Sequence, residues 1–283
     1  MTIRKRIGMK LTALVENMPG TNGCDCEHGL SIYVETGKKR ILVDTGASDL
    51  FCRNAQKLGI RLEDVDLLVL SHGHYDHGGG ILTFSGINPN APVYLRSTAM
   101  EAYYHPQGEW EKYIGLDPAV AALPQCIWTD DDAVIDENLS LFTNITGSRY
   151  PMKGNLQLKK KTENGFVQDS FDHEQCLVIR QDGLRVLFSG CAHHGIVNIM
   201  DQYRKRYGGW PDYVISGFHM SQKAGYSEAD LQQIREIAEE LKRTGAVFYT
   251  GHCTGMTAFE EMKPILGDRL RYLHCGDSVE LEA

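Results

Sequence analysis

The chain has 283 residues, 42% of them hydrophobic and 23% charged, with a formal net charge of −8, a composition that fits a globular enzyme and excludes a disordered or fibrous chain. The acidic balance argues against a nucleic-acid partner, whose phosphates call for clustered Lys and Arg; the runs Arg4-Lys5-Arg6, Lys38-Lys39-Arg40, Lys159-Lys160-Lys161 and Arg204-Lys205-Arg206 read as solvated faces. No apolar stretch approaches the ~20 residues that span a bilayer, the basic start lacks the apolar core and cleavage site of a secretion signal, and the eight cysteines show no disulfide framework, so a cytoplasmic chain with reduced thiols and no membrane partner is expected.

In chain order, strands are predicted at Lys10–Val15, Leu30–Glu35 and Arg40–Asp44, the last two joined by a turn at Gly37-Lys38. Ser48 is placed to cap a helix carrying Leu50, Phe51, Ala55 and Leu58 and ending at Gly59. Strand Asp66–Leu70 follows. Residues 97–130, rich in aromatics, prolines and glycines, read as a partly helical, lid-like excursion, and residues 146–172 as a long polar loop. Hairpin Leu177–Arg180 and Leu184–Ser189, a helix near Gly195–Tyr207 and strand Tyr213–Ser216 come next. Ser227 and Asp230 form a capping-box start for a helix that buries Leu231, Ile234, Ala238 and Leu241. Strand Val247–Thr250, a helix near Ala258–Leu266, and strands Leu270–His274 and Val279–Leu281 complete the chain. Two sheets with helices outside them, in one domain over 1–283, are the expected architecture.

The densest chemistry lies in His72-Gly-His74-Tyr-Asp76-His77, between the apolar Val69-Leu70 and three glycines at 78–80. Three imidazoles and a carboxylate within six residues point to a divalent metal. His72 and His74, two residues apart in extended backbone, face one side and can share one ion; after the chain turns, Asp76 and His77 can reach a second. The glycines disfavour a continuous helix through the motif. Ligand-type side chains also follow the later strands, at Cys191 and His193, at His219, and at His252, so several can converge on one rim.

These segments resemble the metallo-β-lactamase fold superfamily, whose H-x-H-x-D-H motif is met in full by His72, His74, Asp76 and His77. The resemblance runs from Asp44, matching an aspartate behind the metal ligands, to His252, matching the last metal histidine. Glu27-His-Gly-Leu-Ser31, Gly190-Cys-Ala-His193, Gly217-Phe-His219 and Gly251-His-Cys-Thr-Gly255 are similar to the subgroup of 7,8-dihydropterin-6-methyl-4-(β-D-ribofuranosyl)aminobenzene-5′-phosphate synthases. It implies an αββα sandwich of two mixed sheets.

The resemblance also implies two divalent metals, zinc first with iron or manganese open. His72 and His74 would bind the first, and Asp76, His77 and His252 the second. Cys191 takes the place of the bridging ligand, the other reading being a buried inert thiol. The family's Pro-Gly-His-Thr turn, which often carries the third histidine of the first metal, is missing. His173 lies nearest in sequence to that place, and His193 is the alternative. Asp76 is expected to orient and deprotonate the nucleophilic water, and His219 to contact substrate or serve the fold. His28 is open between surface and site; His105, His194 and His274 read as structural, and Cys24 and Cys26 as free thiols.

The expected activity is hydrolysis of a small phosphorylated or ester substrate, pterin-related by resemblance, by a metal-bound hydroxide. A lactone, thioester or amide hydrolase and a non-catalytic metal-bound ligand sensor remain as alternatives. Metal identity, substrate and oligomeric state are not legible.

Overall fold

A computed structural model describes residues 8–282; the basic run at 4–6 lies outside them. Two seven-stranded mixed sheets form the centre. The first runs in the order Ser278–Leu281, Met9–Val15, Ser31–Glu35, Arg40–Val43, Leu67–Val69, Val93–Arg96, Cys126–Thr129. The second runs Leu270–Tyr272, Val247–Thr250, Tyr213–Ser216, Leu184–Ser189, Cys176–Gln181, Leu139–Phe142, Ala133–Val134.

Alternation along the strands builds the layers. Leu177 and Ile179, with Val186 and Phe188, turn inward to meet Leu11, Ile32, Ile41 and Val69 of the first sheet. The residues between them, Val178 and Leu187, face outward and pack under Ile199, Ile237, Leu241 and Met262 of helices Ile196–Tyr207, Glu228–Thr244 and Met256–Leu266. On the opposite face Leu42, Leu68 and Val93 pack under Leu50, Phe51, Ile81 and Phe84. This is the expected αββα sandwich.

Local chemistry accounts for most element ends. Ser227 and Asp230 form the reciprocal capping box, and Gly245 closes that helix in the left-handed conformation. Its buried stripe is Ile234, Ile237, Ala238 and Leu241, with Leu231 only half-buried. The helix expected after Ser48 starts at Leu50 with Asp49 at the cap position, and Ser48, one residue earlier, accepts the Leu50 N–H on its hydroxyl oxygen at 3.1 Å while donating to Glu27 at 2.7 Å.

Two segments hold strands that were not expected, although 97–130 is also partly helical, at Ser97–Met100 and Pro118–Ala122. Within 97–130 the chain forms a hairpin, Tyr103–Gln107 with Trp110–Tyr113, and within 146–172 another, Lys159–Thr162 with Gly165–Gln168. Lys159 and Lys160 pair with Tyr104 and Tyr103, joining the hairpins into a separate four-stranded sheet. Its inner face packs Tyr103 with Ile114, Leu158 and Phe171, beside the histidines of the site.

The three glycines at 78–80 stand where helix Tyr75–Gly78 ends and helix Ile81–Ile87 begins, so no continuous helix runs through the motif, as expected. Close packing also needs glycine here: a Cβ on Gly79 would sit 2.3 Å from the Ala47 carbonyl oxygen, and one on Gly80 would sit 2.5 Å from Phe51 Cε1.

Candidate metal centre

The site lies where strands of both sheets end. Strand Leu67–Val69 delivers His72, His74, Asp76 and His77; strand Leu184–Ser189 delivers Cys191 and His193; Tyr213–Ser216 leads to His219, and Val247–Thr250 to His252. Except for the half-buried His219, these side chains are buried. Among the described residues eight non-glycine residues have positive φ; three of them, Ala192, His219 and His252, belong to these turns, and a fourth, Asp44, follows strand Arg40–Val43 behind the site. Strained backbone concentrated in this way is typical of positions fixed by a functional requirement.

The hydrogen bonds behind the imidazoles determine which nitrogen carries a proton. Asp44 accepts from the Ser71 N–H and hydroxyl, both at 2.7 Å, and from His77 Nδ1 at 2.7 Å. Since the Ser71 hydroxyl is committed to Asp44, its oxygen accepts from His72 Nδ1 at 2.9 Å. Asn17 Oδ1 accepts from Gly29 N–H and from His252 Nδ1, the latter at 2.8 Å. Asn155 donates its Nδ2 to the His193 carbonyl, which leaves its Oδ1 to accept from His193 Nδ1 at 3.1 Å. All four rings therefore hold the proton on Nδ1 and present the Nε2 lone pair inward.

Those lone pairs face one another. His77 Nε2 is 3.1 Å from His252 Nε2 and 3.1 Å from Cys191 Sγ, and His72 Nε2 is 3.3 Å from His193 Nε2. Two ring acceptors cannot bond to each other, so each histidine pair calls for a cation or a proton between its members. Asp76 Oδ2 lies 3.4 Å from His252 Nε2 and 3.2 Å from His28 Nε2, which places His28 at the site's exposed edge. His74 Nε2 is buried with no hydrogen-bond partner, 3.8 Å from Asp169.

The electrostatics agree with a centre built for cations. Burial, reinforced by neighbouring imidazoles, holds His72 and His193 well below their ordinary pKa, and burial brings His74 down to about 4 despite Asp169. Burial opposes ionisation of Asp76, but the imidazoles of His77 and His252 outweigh it and hold the carboxyl well below its usual range. Burial disfavours a charged His252 as well, yet the Asp76 carboxylate raises it to about 9; a proton there does the work a cation would do. Burial, with Cys253 hydrogen-bonded beside it, pushes the Cys191 thiol up, a tendency an adjacent divalent ion reverses. Nitrogen, thiol and carboxylate donors in this arrangement fit borderline divalent ions such as zinc.

His173 stands one layer back. It is fully buried, its Nδ1 accepts the Gly73 N–H at 2.9 Å and its Nε2 bonds Asp169 at 3.1 Å, so both nitrogens are occupied. His193, by contrast, presents a free Nε2 beside His72. His219 packs its ring 4.2 Å from that of His193.

Sequence reasoning missed three buried carboxylates. Glu16 accepts the His252 N–H and the Tyr272 hydroxyl; Glu174 accepts the His193 N–H at 2.6 Å and His194 Nδ1 at 2.6 Å; Asp169 links His173 to His74. Glu16 carried a usable signal, since it directly follows strand Met9–Val15.

The sequence model of the metallo-beta-lactamase superfamily matches residues 24–159. Taken with the fold and the complete H-x-H-x-D-H motif, this match makes the chain similar to the metallo-beta-lactamase superfamily. It is 28% identical, over 99% of both chains, to a 7,8-dihydropterin-6-methyl-4-(beta-D-ribofuranosyl)-aminobenzene-5'-phosphate synthase of Methanocaldococcus jannaschii. Among solved structures it is similar to Tm1679, a metal-dependent hydrolase of the beta-lactamase superfamily, with TM-score 0.82 and 28% identity over 97% of this chain and 100% of that one. The fold also matches YhfI of Bacillus subtilis, with TM-score 0.54 and 16% identity over 97% and 100% of the two chains. No described helix is long and apolar enough to cross a membrane.

Proposed function

We propose that the protein is a dinuclear metal-dependent hydrolase acting on a small phosphorylated ester. The first ion would be held by His72, His74 and His193, the second by Asp76, His77, His252 and Cys191. The observation that carries this reading is the pairing of inward Nε2 lone pairs at 3.1 and 3.3 Å with every Nδ1 committed behind them. When bound, such ions supply Lewis acidity and make a water acidic enough to ionise near neutral pH.

The protein's own groups provide the rest. Asp76, whose Oδ2 faces Nε2 of the exposed His28, can orient an attacking water and accept its proton. The buried walls around His72 and His77 limit water and strengthen charge interactions at the reacting centre. His219, beside His193 and Gly154, borders a small cleft also lined by Met152, Lys153 and Gln222 and can contact a substrate at the site's edge. Similarity to the synthase favours a phosphorylated, pterin-related molecule as the substrate class.

The test is a panel of phosphate mono- and diesters against lactones, thioesters and amides, with protein reconstituted with zinc or manganese. Phosphoester turnover that disappears in Asp76→Asn and His72→Ala supports the proposal. Turnover confined to carbonyl substrates moves the assignment to that class. Ligand binding with no turnover of either class would replace the enzyme with a sensor.

A further inference from the structure

Beside the dinuclear cluster lies a second donor set, which shares Cys191 with the proposed second ion and adds His219 and Cys253. Cys191, His219 and Cys253 each offer a ligand atom, and these atoms lie within 4.8 Å of one another. Cys191 and Cys253 are buried, and His219 Nδ1 is buried with no hydrogen-bond partner. A buried ring nitrogen without a partner is costly unless something meets it.

The local backbone is arranged around the sulfur of Cys253. His219 adopts φ +49°, and its N–H points to Cys253 Sγ at 3.3 Å, an arrangement that favours a thiolate because the N–H donates to the charged sulfur. Gly217 leaves the room for that sulfur, since a Cβ there would lie 2.5 Å from Cys253 Sγ. His252, the residue before Cys253, has φ +49°. Two left-handed turns thus bring two thiols and one free imidazole nitrogen together from three strand ends.

We infer that Cys191, His219 and Cys253 form a third cation position, selective for a thiophilic divalent ion such as zinc. Two thiolates and a neutral imidazole balance a double positive charge, and a fourth place stays open for water or a ligand atom, as in a Cys2His site. The first ion of the proposed pair needs only histidines, so Cys191 would bridge no more than two ions. The position requires only these three residues and goes beyond the dinuclear reading.

The test uses the full chain reconstituted with cobalt(II), whose bonds to thiolate absorb in the near ultraviolet, together with zinc content after exhaustive dialysis. Wild-type protein is expected to keep one more equivalent of zinc than Cys253→Ala or His219→Asn, the latter chosen because asparagine tolerates a left-handed φ. The cobalt band should fall by roughly a third or more in Cys253→Ala, as sulfur–metal bonds are lost. His77→Ala disables the proposed second ion and should retain the Cys253-dependent part of the band. Equal zinc and equal absorption in wild type and Cys253→Ala would overturn the inference. So would loss of the Cys253-dependent band in His77→Ala, because Cys253 would then serve the second ion.

Discussion

Asp44 Oδ2 and His77 Nδ1 lie 2.7 Å apart with both side chains fully buried. The same carboxylate takes the N–H and hydroxyl of Ser71, and through that hydroxyl it fixes His72. One buried charge thus orients a histidine in each half of the proposed pair.

Asp44→Asn should lower metal affinity by about 10- to 100-fold, the usual effect of removing a group behind a ligand histidine. Competitive titration with a chelator of known affinity measures it. Unchanged affinity would show that His77 is oriented by packing alone.

His193→Ala is expected to remove one bound metal equivalent. His173→Ala should leave metal content intact and cost stability, about 1–3 kcal/mol, by leaving the buried Asp169 and Gly73 N–H without their partner. Metal analysis and urea unfolding separate the two residues; the reverse pattern would make His173 the ligand.

The Glu174–His194 pair gives a pH signature. Burial alone would raise the Glu174 pKa and lower that of His194, but their mutual hydrogen bond outweighs it, holding Glu174 below 4.5 and His194 above 6.5. Stability from the lowered carboxyl is fully present above pH 4.5 and fades as pH falls through its folded value. Stability from the raised imidazole is fully present below pH 6.5 and fades as pH rises through its folded value. The destabilisation caused by His194→Gln should therefore be largest between pH 4.5 and 6.5 and shrink towards pH 9. A difference that does not vary with pH would remove the charge from this account.

Gly79→Ala should destabilise the fold by roughly 1–3 kcal/mol, because the new methyl meets backbone at Ala47 and something must shift. Thermal unfolding checks it, and an unchanged midpoint would mean that the 45–47 segment yields freely.

The sandwich was legible because its strands alternate inward and outward and its helices carry apolar stripes and caps. The histidine motif was legible because four ligand-type residues fall within six positions. The four-stranded sheet was not, since Lys159–Thr162 is lysine-rich and only half-buried and Gly165–Gln168 is exposed, leaving no periodicity to read. Asp169 sat in the segment 146–172 read as polar loop and Glu174 just beyond it, where a buried carboxylate looks like a solvated one. His173 was favoured by its place in sequence, whereas the choice between it and His193 turns on which ring has a free nitrogen.

The imidazoles that face each other come from opposite sheets: His72 and His77 follow a strand of the first, His193 and His252 strands of the second. An ion that needs both members of a pair binds only the closed sandwich, and at a free concentration 1,000 times its dissociation constant it would add about 4 kcal/mol to the folded state. Without it, the junction must hold five buried carboxylates, Glu16, Asp44, Asp76, Asp169 and Glu174, with far less positive charge. Ion supply then becomes a folding variable, and chelation should ease separation of the sheets before it disturbs either one alone.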